Sequence, residues 1–259
     1  MQNAFRKTNL VLFATLWSMN NASASVDVTT TNRGSIDDFV FFAGYGEAYQ
    51  VRATGSSGSR AEVTRNFHVF DLSNLSGTVT SATITFFHPG ENGQGSTSYD
   101  SPDSSETITF FDVGSSSASD IASFTNALGV FADLGTGTSY GTLTTDSSVN
   151  TLDDSGTFQT ITLNSDALAS IQSSIDLGGD WLIGGSLTTW QPDGSQLPGG
   201  NPNANERIFR GSTSAAFANL PPTTLTLDGV VVPEPSLLTL FLGLGALGFS
   251  TVRRRRAGR

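Results

Sequence analysis

The sequence predicts an all-β fold: an antiparallel β-sandwich with one or two short helices, framed by an N-terminal signal segment and a C-terminal transmembrane helix. Three observations carry this expectation. Short runs rich in Val, Ile, Thr and Phe alternate with Ser/Gly/Asp clusters through the middle of the 259-residue chain. Each end carries an uncharged apolar run beside basic residues. There is no cysteine, so neither disulfides nor a Cys-ligated zinc can hold the fold, and a packed core must.

The clearest strand is Arg60 to Leu72, with Val63, Phe67 and Val69 on one face and Arg65 interrupting that stripe. Thr78 to Phe87 repeats the period, with Ala82, Ile84 and Phe86 in phase. Glu106 to Val113 offers Ile108 and Phe110 to one side, and Thr157 to Leu163, Trp181 to Trp190 and Thr223 to Leu227 follow. The Gly184-Gly185 pair inside a strand predicts a bulge or a close backbone approach. Two segments have helical spacing instead. Ser165 to Ile175 places Leu168, Ile171 and Ile175 on one face, with Asn164 or Ser165 as cap and Gly178-Gly179 as stop. Asp120 to Leu128 aligns Ile121, Phe124 and Leu128. Both are expected to cross the ends of the sandwich.

The ends define the domain limits. Residues 1–24 read as a secretory signal peptide: Arg6-Lys7, the apolar run Leu10 to Trp17, and Ala22-Ser23-Ala24, with cleavage expected after Ala24. That run is far below the ~20 residues a spanning helix needs. Residues 25–231 form the β-domain. Residues 232–259 hold Pro233-Glu234-Pro235, an uncharged segment from Ser236 to Val252, and the cluster Arg253, Arg254, Arg255 and Arg256. As a helix, Ser236 to Val252 would rise roughly 25 Å, at the short end for crossing hydrocarbon. The arginines are expected on the cytoplasmic side and the domain outside.

Motif, apolar segment and arginines, in that order, resemble the PEP-CTERM sorting signal of Gram-negative bacteria. The resemblance implies cleavage of the tail by an exosortase, with Pro233, Glu234 and Pro235 as recognition residues. It also implies a path from the inner membrane to the cell envelope or extracellular matrix, in organisms that make exopolysaccharide and biofilm. Within the domain, Phe111 to Gly114 (FDVG), Leu134 to Gly141 (LGTGTSYG), Ile161 to Ile171 (ITLNSDALASI) and Gly178 to Leu187 (GGDWLIGGSL) resemble the ectodomains of many PEP-CTERM proteins. Those look like jelly-roll sandwiches similar to carbohydrate-binding modules.

Charge narrows the partners. Between the two ends lie six arginines, no lysine and all acidic residues except Glu234, a net charge near −16. Such a surface repels nucleic acid. Catalytic signatures are few. The two histidines, His68 and His88, read as a sheet-surface and a turn residue, no G-x-S-x-G occurs, and no pair of the many acids stands out for sugar hydrolysis. A non-enzyme is therefore expected, and a secreted hydrolase ranks last.

Calcium is the cofactor the sequence favours, because acidic and amide-rich loops supply the oxygens it takes. Three loops qualify: Asp100, Asp103 and Glu106; Asp153-Asp154; and Asn201, Asn203, Asn205 and Glu206. The first is the choice, as a structural Ca2+ site. Among loop aromatics, Trp190 and Tyr99 are the candidates for stacking on sugar rings, and Trp181 is assigned to the core. The leading expectation is an exported surface or matrix structural protein, and the alternative is a carbohydrate-binding module with a structural calcium.

Overall fold

The computed structural model describes residues 25–38, 42–45, 51–56, 59–89, 98–114, 116–123, 127–150, 156–188, 205–209 and 220–232. The signal segment 1–24, Trp190 and the tail from Pro233 onward, including its expected transmembrane helix, lie outside them. Among the described residues no helix is long and apolar enough to cross a membrane.

In chain order the strands are β1 (Val26–Thr29), β2 (Asn32–Asp37), β3 (Phe42–Tyr45), β4 (Val51–Ser56), β5 (Ser59–Asp71), β6 (Ser76–His88), β7 (Tyr99–Asp100) and β8 (Ser105–Asp112). Helices α1 (Ala118–Ser123) and α2 (Ala127–Asp133) precede β9 (Ser139–Asp146), and β10 (Thr157–Thr162) precedes α3 (Ser165–Leu177). β11 (Asp180–Leu187), β12 (Asn205–Ile208) and β13 (Thr224–Val231) complete the set. Every pairing is antiparallel. The small sheet runs β1-β13-β6-β10; the large one runs β7-β12-β4-β5-β11-β8-β9, with β2 on β5 and β3 on β2. The expected all-β architecture of facing antiparallel sheets is present.

The core follows from alternation. On β6, Ala82, Ile84 and Phe86 point between the sheets while Thr83 and Thr85 point out, as period-2 strands require. Phe86 stacks on Phe110 of β8 with ring centroids 4.7 Å apart. Trp181 is buried, as expected, and its Nε1 donates to Ser170 Oγ at 3.1 Å.

β5 departs from simple alternation, because Val63 through Phe70 are all buried. One side faces the other sheet. The opposite side carries Phe67 and Val69, which pack with Ile121, Val130 and Leu134 from the α1–α2 region. These two helices therefore cover the outer face of the large sheet instead of crossing an end. Arg65 does not break the stripe but extends it: Nη1 donates to Phe131 O at 2.7 Å and Ala132 O at 3.1 Å. The guanidinium also lies 4.3 Å over the Phe131 ring, so the charge is spent on the open carbonyls of α2.

The other helix does close one end. Asn164 caps α3, accepting from Ala167 N at 3.0 Å, and Gly178 ends it at φ 62°, a left-handed conformation that glycine adopts freely. From α3, Gln172 accepts from Val79 N and donates to Gly77 O, tying the helix to the first residues of β6.

Register defines the two ends of the sandwich. β5 and β6 are joined through 72–75, and near that joint Asp180 stands opposite Asp71 and Val231 opposite Ser76. β11 runs away from the joint, and the start of β8 lies at its far end, where Leu187 pairs with Ile108. β4 likewise sits on the first half of β5 and β12 on β4, with Arg52 opposite both Thr64 and Arg207. The chain thus reaches Val232 at one end while β7, β12 and the start of β8 gather at the other.

Candidate metal centre

Two strand ends and the bend between β7 and β8 bring three carboxylates together. β8 begins Ser105-Glu106-Thr107-Ile108, and the phase that buries Ile108 and Phe110 turns Glu106 inward as well. β12 reads Asn205-Glu206-Arg207-Ile208, and buried Ile208 brings Glu206 inward by the same period. Asp103, in the bend between β7 and β8, completes the group. One carboxylate oxygen from each of Asp103, Glu106 and Glu206 lies within 4.8 Å of the others, with both glutamates buried and Asp103 half-buried.

The surrounding hydrogen bonds hold the bend. Ser101 Oγ donates to Glu106 Oε1 at 2.5 Å and accepts from Asp103 N at 3.1 Å. The Tyr99 hydroxyl donates to Asp103 O at 2.6 Å, while Tyr99 N and O pair with the Asn150 carboxamide, each at 2.8 Å. Burial raises the Tyr99 hydroxyl above its usual pKa; a bond to Ser101 works against this, and the carboxylates of Glu106, Asp103 and Asp146 add to the rise.

The donor set is oxygen only. Carboxylates this close repel one another unless a cation or protons intervene, and a hard divalent ion such as Ca2+ takes this kind of ligand. Asp103, Glu106 and Glu206 could each offer one oxygen to such an ion.

The expected site is thus regrouped. Asp103 and Glu106 converge, whereas Asp100 stands opposite Arg207 in the β7–β12 ladder, outside the cluster. The third carboxylate, Glu206, comes from a loop that the sequence analysis weighed separately. The shared Glu-x-Ile pattern of Glu106 and Glu206, an acid in phase with core residues, was the available signal. Tyr99 is only 4% exposed, so its ring packs in protein and offers no open face for stacking. Asp153, Asp154, Asn201, Asn203 and Trp190 lie outside the described residues, as do Ala22, Ala24, Pro233, Glu234, Pro235 and the arginine cluster.

Both histidines are buried, contrary to the surface and turn positions expected of them. His68 lies between the sheets with its ring edge toward Phe86; burial, reinforced by the Arg33 charge, pushes its pKa down to about 3. His88 ends β6, pairs through Nδ1 with Ser98 Oγ at 3.0 Å and packs against Phe209. Its pKa is also lowered to about 3 by burial, weakly opposed by Gln159. Both rings are fully buried, His68 between the sheets and His88 against Ser98 and Phe209, so neither imidazole has solvent to titrate against.

No protein-family model matches the chain, and no curated protein matches it.

Proposed function

We propose that this chain is an exported surface or extracellular-matrix structural protein, a jelly-roll-like domain clamped at one end by Ca2+ and sorted through its C-terminal tail. The observation that carries the reading is the convergence of Asp103, Glu106 and Glu206 at the end of the sandwich away from Val232. Sites with few protein ligands bind calcium weakly, in the range that extracellular modules use, so such a clamp is filled outside the cell and open inside. The −16 charge of the mature domain suits a soluble exterior role. The signal segment with Ala22 and Ala24, the Pro233-Glu234-Pro235 motif and Arg253 to Arg256 supply the route: export, a transient inner-membrane stage, and cutting by an exosortase. Burial of both histidines in neutral form weighs toward a non-catalytic role, since neither is placed to exchange protons with a substrate.

Two measurements on the protein in its host test this. The mature wild type should end near Pro233 and leave the inner membrane, and Glu234→Ala should stay uncut; two uncut products would remove the sorting reading. The melting temperature should rise with calcium and fall back with a chelator, and Glu206→Gln should erase the response. A wild type indifferent to calcium would remove the clamp.

A further inference from the structure

β13 carries the fold almost to the tail. Leu225 and Leu227 point into the core, a bulge between Asp228 and Val230 shifts the phase, and Val230 is buried in turn while Val231 is exposed. Val231 is still paired with Ser76 of β6. Only Val232 to Pro235 then separate the last paired residue from Ser236, the first of the uncharged apolar run. From Val231 to Ser236 a fully extended chain spans at most roughly 18 Å. The headgroup layer of a bilayer takes about 6 Å of that. With the apolar run in hydrocarbon, the joint end of the sandwich therefore stands no more than about 12 Å off the lipid surface.

What that end exposes is apolar. Among the described residues five large apolar side chains are exposed, and three of them, Leu177, Val231 and Val232, are here; Leu177 is the most open, at 82%. Leu177 ends α3, and Gly179 O just beyond it accepts from Leu72 N at 3.2 Å, which sets the helix terminus beside the 72–75 turn. The bonds of Gln172 to Val79 and Gly77 hold the same helix against the start of β6, where Val231 pairs. Single exposed apolar residues are ordinary on any surface; their concentration on the end that a short link keeps near lipid is not.

Charge narrows the lipid. Asp71, Asp176 and Asp180 are exposed around these residues. No arginine falls in 71–79, 165–180 or 228–232, and the domain has no lysine. Carboxylates without a cation beside them are repelled by anionic headgroups, whereas zwitterionic headgroups offer them ammonium groups.

We propose that the joint end of the domain, through Leu177, Val231 and Val232, docks on the surface of a zwitterionic bilayer while the tail is in place. The apolar side chains enter the boundary between headgroups and acyl chains and lose water there, and the three aspartates meet lipid ammonium groups. The domain then stands on that end, with Asp103, Glu106 and Glu206 at the opposite end directed away from the membrane. This rests on the reading of Ser236 to Val252 as a membrane segment, while the docking itself is a property of the folded domain.

The chain has no cysteine, so single reporters can be placed in the full-length protein: Asn74→Cys in the 72–75 turn, or Ser148→Cys at the far end, each carrying a fluorophore. The protein is reconstituted in vesicles of phosphatidylcholine and phosphatidylethanolamine, with a headgroup-spin-labelled lipid as quencher. The label at residue 74 should be quenched several-fold more than the label at 148. A long Gly/Ser spacer between Val232 and Pro233 removes the short link, and the preference should survive it. Leu177→Ser in that background should lower the docked-to-free ratio about tenfold, the worth of one large apolar side chain, with the melting temperature unchanged. Replacing half of the lipid with phosphatidylglycerol should weaken the quenching. Equal quenching at both positions overturns the proposal, as does loss of the preference with the spacer, wild-type behaviour of Leu177→Ser, or stronger quenching on the anionic vesicles. Failure of the sorting reading shows separately: a chain that does not float with the vesicles rejects the membrane stage of the tail and the docking with it, whereas a floating chain with equal quenching rejects the docking alone.

Discussion

Leu134, at the end of α2, lies directly on the backbone of Gly184 in the middle of β11: a Cβ at residue 184 would stand 2.5 Å from Leu134 O and 2.6 Å from its Cα. The α1–α2 layer reaches the large sheet only because that side chain is missing. Gly184→Ala should push the helices off the sheet and destabilise the domain by about 2 kcal/mol, in the range of overpacked cores. Chemical denaturation checks this; a loss under ~0.5 kcal/mol would show that the layer yields without cost.

Asn164 joins two elements. It caps α3 through Oδ1, and its Nδ2 donates to Ser139 O at 2.6 Å at the start of β9. Asn164→Ala should cost about 1–2 kcal/mol, and Asn164→Asp should cost less because the capping acceptor remains. Equal losses for both variants would place the weight on the Ser139 bond instead of the cap.

The buried histidines make stability depend on pH in a definite direction. Each has a folded pKa near 3 against 6.5 in the unfolded chain. Below pH 6.5 the unfolded state binds protons that the folded state refuses, so stability is complete above 6.5 and is lost progressively toward pH 3. His88→Gln should flatten this slope between pH 6 and about 4 relative to wild type. Unfolding free energies across that range, with and without the substitution, give the comparison. Parallel curves would mean that His88 titrates normally in the fold.

Neutralising the acid cluster should have opposite effects in two media. In chelator, Glu106→Gln relieves repulsion with Asp103 and Glu206 and should raise the melting temperature by a few degrees, roughly 1 kcal/mol. In calcium the same variant should melt below wild type, because a ligand is missing. Thermal scans in both media decide it; a variant less stable than wild type in chelator would mean that Glu106 is held by bonds worth more than the repulsion.

The strands were legible wherever alternation was strict. β6 and β8 turn the predicted residues inward, and α3 takes Asn164, one of its two expected caps, and stops at Gly178 of the expected Gly178-Gly179 pair, because a period and a cap are local properties. β5 was misread at its polar positions. Periodicity alone reads Arg65 as interrupting the apolar stripe and His68 as lying on the sheet surface; the α1–α2 layer that receives Arg65 and the facing sheet that covers His68 are both set by contacts distant in the chain. The acid cluster was half legible: Asp103 and Glu106 are neighbours in sequence, whereas Glu206 joins them only through the pairing of β12 with β7 and β4.

By itself, then, the sequence determined an all-β domain without disulfides, strongly acidic, with its main strands and capped helix in place. These depend on composition, on periods of two and 3.6, and on end residues, all of which act over a few positions. Only the tertiary structure decided which sheet face is roofed by the α1–α2 helices. It alone brought Glu206 to Asp103 and Glu106, and sealed both histidines. Each of these rests on which strands become neighbours, and that is settled by packing one core from segments far apart in the chain.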